Sequence, residues 1–146
     1  MTAVHIVIGV LALALNLAAG VWGAICWWQR RSSPVFWTLL RAGQAAIIVE
    51  ALIGGVLMLI GRKVSSLHLV YGLVPIALSV FAEQFRISAA QMILDSRGFA
   101  STDEVGRLPA DEQRAIVRAV VRREVGVMAL SALVATVLVI RAATVH

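Results

Sequence analysis

Read for hydropathy alone, the chain falls into four long apolar stretches joined by polar ones. The first runs from about Val4 to Trp28 and is interrupted only by Asn16 and by glycines, which membrane helices tolerate. The others cover about 35–61, 67–87 and 124–142. A helix of about 20 apolar residues spans the hydrocarbon core of a bilayer, so each stretch is long enough to cross. The joints carry helix signals of their own. Ser33 is placed to be the N-cap and Pro34 the first residue of the second helix, and Ser65-Ser66 offers a serine cap to the third. Residues 88–123 form a polar insert in which Asp95-Ser96-Arg97-Gly98 reads as a helix stop. Pro109-Ala110-Asp111-Glu112 reads as an acid-rich start of a helix leading into the fourth stretch. The pattern predicts an all-α fold: a single integral membrane domain over 1–146, built as an antiparallel four-helix bundle.

The bundle also reads as two duplicated helical hairpins. The segment His5–Asn16 aligns without gaps on His68–Ser79 and keeps His, Val, Gly, Ala and Leu at matching places. A weaker match joins Glu50–Leu57 to Ser131–Leu138, and its order agrees with the first. Both hairpins start on the same side, so the predicted repeat is parallel, with the polar insert in the second copy.

Composition supports lipid as the solvent. The chain is 60% hydrophobic and 14% charged, where a soluble domain carries about 25% charged residues. Thirteen Lys and Arg against eight Asp and Glu give +5. Their distribution is the informative part. Arg30, Arg31, Arg41, Arg86, Arg97, Arg107, Arg114, Arg118, Arg122 and Arg123 fall towards one side of the spans, and Arg62, Lys63 and Arg141 towards the other. The positive-inside bias makes the first side cytoplasmic, with Trp27, Trp28, Phe36, Trp37, Phe81 and Phe85 as an aromatic belt near it and both termini outside. This predicts a multi-pass protein of the cell membrane whose first helix is retained. No nucleic-acid motif accompanies the charge, and the one cysteine, Cys26, makes neither an intramolecular disulfide nor a thiolate cage.

Candidate chemistry lies on the inward stripes. His5 and His68 each stand one turn inside the outer end of a helix, and two imidazoles facing across a bundle can supply both axial ligands of a haem. Gly9 and Gly72, four residues on, would leave clearance for a flat macrocycle or a neighbouring helix. Arg62, Lys63 and Arg141 lie near the same boundary, where they would meet anionic propionates. Among polar residues inside the spans, Glu50 sits near mid-depth, where a carboxylate is costly unless paired or wet. A neutral acid hydrogen-bonded to Asn16 or Ser79 is one expectation, and a proton relay or cation site is the other. Arg41 and Glu83 lie at depths that allow an ion pair, with Gln44 near enough to join. Arg114, Arg118 and Arg122 recur every four residues as a basic stripe suited to anionic headgroups or a partner protein. No Walker loop, zinc-protease helix or nucleophile elbow is present, so the reading leans away from an enzyme.

The paired His-x-x-x-Gly helices, carried by His5, Gly9, His68 and Gly72, resemble b-type cytochrome bundles, and the duplicated layout is similar to one half of a haem A synthase. Haem A synthases have eight helices, with histidines on even-numbered ones, whereas these histidines begin odd-numbered spans. His68-Leu-Val-Tyr-Gly72 and the tail of the chain also resemble small actinobacterial four-helix membrane proteins. The resemblance implies a membrane subunit that binds haem b, or a quinone-linked one, in electron transfer. Two other expectations stand beside it: a cofactor-free accessory or scaffolding protein, within a larger membrane complex or a homo-oligomer, and a small proton-coupled transporter using Glu50 and Asn16.

The charge distribution makes one direct prediction. A topology reporter fused after His146 should be active only outside the cell, and one inserted near Ser101 only inside; the reverse pattern would overturn the orientation.

Overall fold

The computed structural model describes residues 2–99 and 101–145. Its elements are α1 (Thr2–Trp28), α2 (Pro34–Leu59), α3 (Ser66–Ser96), the short α4 (Thr102–Val105) and α5 (Ala110–Thr144). Four of these, α1, α2, α3 and α5, are long and apolar enough to cross a membrane. Much of their outer surface is bare hydrocarbon: Leu52, Phe85, Leu130 and Val137 are each more than half exposed.

The chain turns where the joints predicted it. Pro34 opens α2 with Ser33 in extended backbone. The Ser33 hydroxyl makes no cap bond; it accepts from Trp22 Nε1 at 3.0 Å and so ties the loop to α1. Ser65 Oγ does cap α3, accepting from the His68 amide at 3.2 Å. Gly61 and Gly98, with φ of 87° and 79°, end α2 and α3 in the left-handed region that glycine enters without strain.

The third apolar stretch is only part of its helix. It was expected to end near Ile87, but α3 continues to Ser96, and α5 is unbroken for 35 residues from Ala110. At 1.5 Å per residue α5 is about 52 Å long, well beyond a hydrocarbon core of about 30 Å. The polar insert is therefore largely helical: the end of α3, α4 and the start of α5 close on a small core of Leu94, Val105 and Ile116, with Phe99, Leu108 and Val120 packed against it.

Helix order follows from the contacts. A Cβ on Gly9 would meet Glu50, one on Gly43 would meet Asn16, and one on Gly23 would meet Phe36, so positions descend along α2 as they rise along α1. Likewise His68 reaches Ala142 while Arg86 reaches Glu124 between α3 and α5. Helix α1 packs on α2 and α5, and α5 on α3, while α2 and α3 meet more loosely. The main core, Ala19, Cys26, Phe36, Leu40, Val125, Met128 and Ala129 among others, fills the α1–α2–α5 junction. A second, of Ala12, Ala46, Ile47 and Ala135, lies nearer the histidines. Small residues at these seams let helix backbones approach closely.

The glycines divide accordingly. A Cβ at Gly23 would lie 2.5 Å from Phe36 and 2.7 Å from Ala129, whereas Gly55 has nothing within 4 Å. Gly23→Ala should destabilise the bundle by about 1–3 kcal/mol, and Gly55→Ala should be neutral or stabilising by up to about 1 kcal/mol. Thermal melts of the two variants in one detergent check this; equal melting temperatures would contradict the packing.

Candidate functional site

Each long helix contributes to one polar cluster near the ends of α1 and α3. His68 is placed by its own helix start, since the Ser65 cap fixes the first turn of α3. Its Nδ1 lies 2.8 Å from the Ala142 carbonyl oxygen. That carbonyl is in the last turn of α5, where the helix supplies no amide to bond it. A carbonyl only accepts, so His68 carries its proton on Nδ1 and donates it, which leaves the Nε2 lone pair available.

His5 enters from α1. Its ring centroid is 6.1 Å from that of His68, with the planes tilted by 53°. Its Nδ1 stands 3.0 Å from Glu50 Oε1 on α2. Despite this proximity, His5 Nδ1 and the other carboxylate oxygen, Glu50 Oε2, are buried without hydrogen-bond partners. Gly9 makes the meeting possible: a Cβ there would lie 2.8 Å from Glu50 Oε1. The expected clearance over Gly9 is thus filled by a carboxylate, while Gly72 faces nothing within 4 Å.

Neither polar residue expected beside Glu50 reaches it. Asn16, 1% exposed, donates from Nδ2 to the Ala12 carbonyl at 2.8 Å and packs against Gly43. Ser79 Oγ donates to the Pro75 carbonyl at 2.9 Å. Both bond four residues back within their own helices, at positions the repeat alignment makes equivalent. Each therefore satisfies itself locally, and the partner of Glu50 is His5.

No ion pair or hydrogen bond joins Arg62, Lys63 or Arg141 to either imidazole among the contacts of the described residues. Arg62 and Lys63 are exposed on the α2–α3 connection, and the Arg141 guanidinium lies 5.7 Å over the Tyr71 ring. Among the described residues no group of three or more His, Cys, Asp or Glu side chains is arranged to hold a metal ion. The histidines are therefore a two-donor set.

A second network sits at the opposite end of α2 and α3. Arg41 donates to Gln44 Oε1 at 2.8 Å and pairs with Glu83. Arg86 Nε donates to the other Glu83 oxygen at 2.9 Å, and its Nη1 to Glu124 Oε1 at 3.1 Å. Both guanidiniums lie over the Trp37 ring, at 5.9 and 5.7 Å. Two arginines and two glutamates join α2, α3 and α5 with no net charge. Glu124 and the Ala142 carbonyl were not singled out from sequence; a charge flanking an apolar run is a weak signal, and a backbone acceptor gives none.

Compared with family models, curated proteins and solved structures, the chain has no match in any of the three.

The Glu50 environment makes a prediction of its own. Glu50→Gln should fold and insert normally, because an amide fits the same space, whereas Glu50→Lys should impair insertion by placing a fixed cation in the span. Membrane yield and thermal stability check this. Equal behaviour of the two variants would place residue 50 in a wet cavity instead.

Proposed function

We propose that this chain is an antiparallel four-span membrane protein, built from two duplicated hairpins, that binds a b-type haem between His5 and His68 for electron transfer. The observation that carries this reading is the pairing of two imidazoles from separate helices, each with Nδ1 against an acceptor. Metal-ligating histidines characteristically present their other ring nitrogen to a carboxylate or backbone carbonyl, which fixes ring orientation and raises basicity. His68 does so, with its Nδ1 2.8 Å from the Ala142 carbonyl oxygen, while His5 Nδ1 lies 3.0 Å from Glu50 Oε1 in a contact that is not hydrogen-bonded. The two ring centroids stand 6.1 Å apart, so a group held by one imidazole would lie within reach of the other.

In this reading His5 and His68 would hold the haem iron, and Arg62, Lys63 and Arg141 would meet its propionates. When bound, haem supplies one-electron oxidation and reduction. The chain's own part is to orient the two imidazoles, to keep Glu50 beside His5, and to exclude water with the small-residue core of Ala12, Ala46 and Ala135. The matched back-bonding of Asn16 and Ser79 supports the duplication, and the exposed apolar surfaces of four sufficiently long helices support insertion.

A second reading, proton-coupled transport, is favoured by one observation: Glu50 Oε2 is buried without a hydrogen-bond partner next to a histidine. Carboxylate–histidine pairs inside membranes serve as proton relays. Solute uptake that is coupled to protons and lost in Glu50→Gln would select it.

For the haem reading, protein purified with ample haem should show a low-spin b-type spectrum. His5→Ala and His68→Ala should each abolish it, because one axial ligand gives a different coordination state. Arg62→Ala with Lys63→Ala should weaken binding and leave the spectrum in place. A colourless wild-type protein under the same conditions would overturn the reading.

A further inference from the structure

The looser α2–α3 seam encloses a half-open cavity of about 160 Å³ that neither haem ligand lines. Its polar groups are Gln44, Ser79 and Glu83, and its apolar walls include Ile48, Ile76 and Val80. An engineered apolar cavity of about 150 Å³ takes one benzene ring, so the space matches a single six-membered ring. Ile48 and Val80 are 49% and 58% exposed, so the opening faces outward from the bundle, into the acyl chains of the proposed bilayer.

The lining groups restrict the chemistry of the ring. Both Glu83 oxygens are taken by Arg41 and Arg86, so the carboxylate is neutralised and recruits neither an anion nor a cation. Gln44 Oε1 accepts from Arg41, which assigns the amide and leaves Nε2 to donate. Ser79 gives its proton to the Pro75 carbonyl, which leaves its oxygen to accept. One donor and one acceptor on a ring-sized, uncharged cavity open to lipid fit an oxygenated ring carrying an apolar tail.

We propose that the α2–α3 cavity binds the head group of a lipid-soluble quinone or quinol, with Gln44 Nε2 donating to a ring oxygen of either form and Ser79 Oγ accepting from a ring hydroxyl of the quinol form. The tail leaves between Ile48 and Val80. The site deepens the electron-transfer reading by naming its lipid-soluble partner, and it rests on that reading for the redox role alone. Ring binding itself does not require haem.

The test is a titration of the full chain in detergent with a decyl-substituted benzoquinone, following quenching of Trp37, whose ring lies under the two arginines that hold Glu83. Quenching should saturate and should be lost in Trp37→Phe. Gln44→Leu should weaken binding at least tenfold, and Val80→Phe, which narrows the lipid-facing opening, should do the same. Decylbenzene, which lacks ring oxygens, should not compete. If Gln44→Leu does not fold, the exposed Val80→Phe position carries the comparison. Saturable binding that persists in the haem-free His5→Ala, His68→Ala double variant keeps the quinone site standing should the haem reading fail. Linear, non-saturating quenching shared by all variants reports partition into the micelle and overturns the site, as does competition by decylbenzene.

Discussion

A polar group inside an apolar helix bundle has no water to turn to, so it must find its partner within the chain. Most of this molecule's interior obeys that constraint locally. Asn16, Ser79, Ser131 and Thr136 each donate to a carbonyl three or four residues back on their own helix. Glu83 shares its two oxygens between two arginines. His68 completes the end of α5 by donating to Ala142. Only the meeting of His5 and Glu50 leaves buried atoms unpartnered among the described residues. It occurs beside the second histidine, which is why the chemistry is placed there.

The four helices were legible because apolar runs of spanning length admit few other structures. The Ser65 cap, the Pro34 start and the Gly98 stop were legible too, since each depends on backbone rules local to a few residues. The Arg41–Glu83–Gln44 contact could be anticipated from charge and depth alone. The extent of α3 could not: beyond Ile87 its buried face is reduced to scattered residues such as Leu94, which pack on Val105 and Ile116. Hydropathy reads that mixture as a connection, although it is one side of an amphipathic helical pair.

Glu50 shows the other limit. Its depth suggested Asn16 or Ser79, but its partner is decided by how α1 and α2 are aligned. The close passes at Gly9, Gly43 and Gly23 set that register, bringing Glu50 level with His5 and Asn16 level with Gly43. A glycine read as clearance for a macrocycle or a neighbouring helix makes room for that neighbour, whose Glu50 carboxylate fills the space. Single-helix spacing places residues on a face; only packing between helices chooses what they meet.

The two polar centres occupy opposite ends of the α2–α3 seam, and at one of them we propose that His5 and His68 act on one ligand together. The most direct measurement is a haem titration of protein labelled with nitrogen-15 only in histidine, read by NMR. The account predicts that the His5 and His68 resonances change together and are complete at one haem per chain, while that of His146 stays in place. Haem that perturbs one of the two alone, or neither, would contradict it.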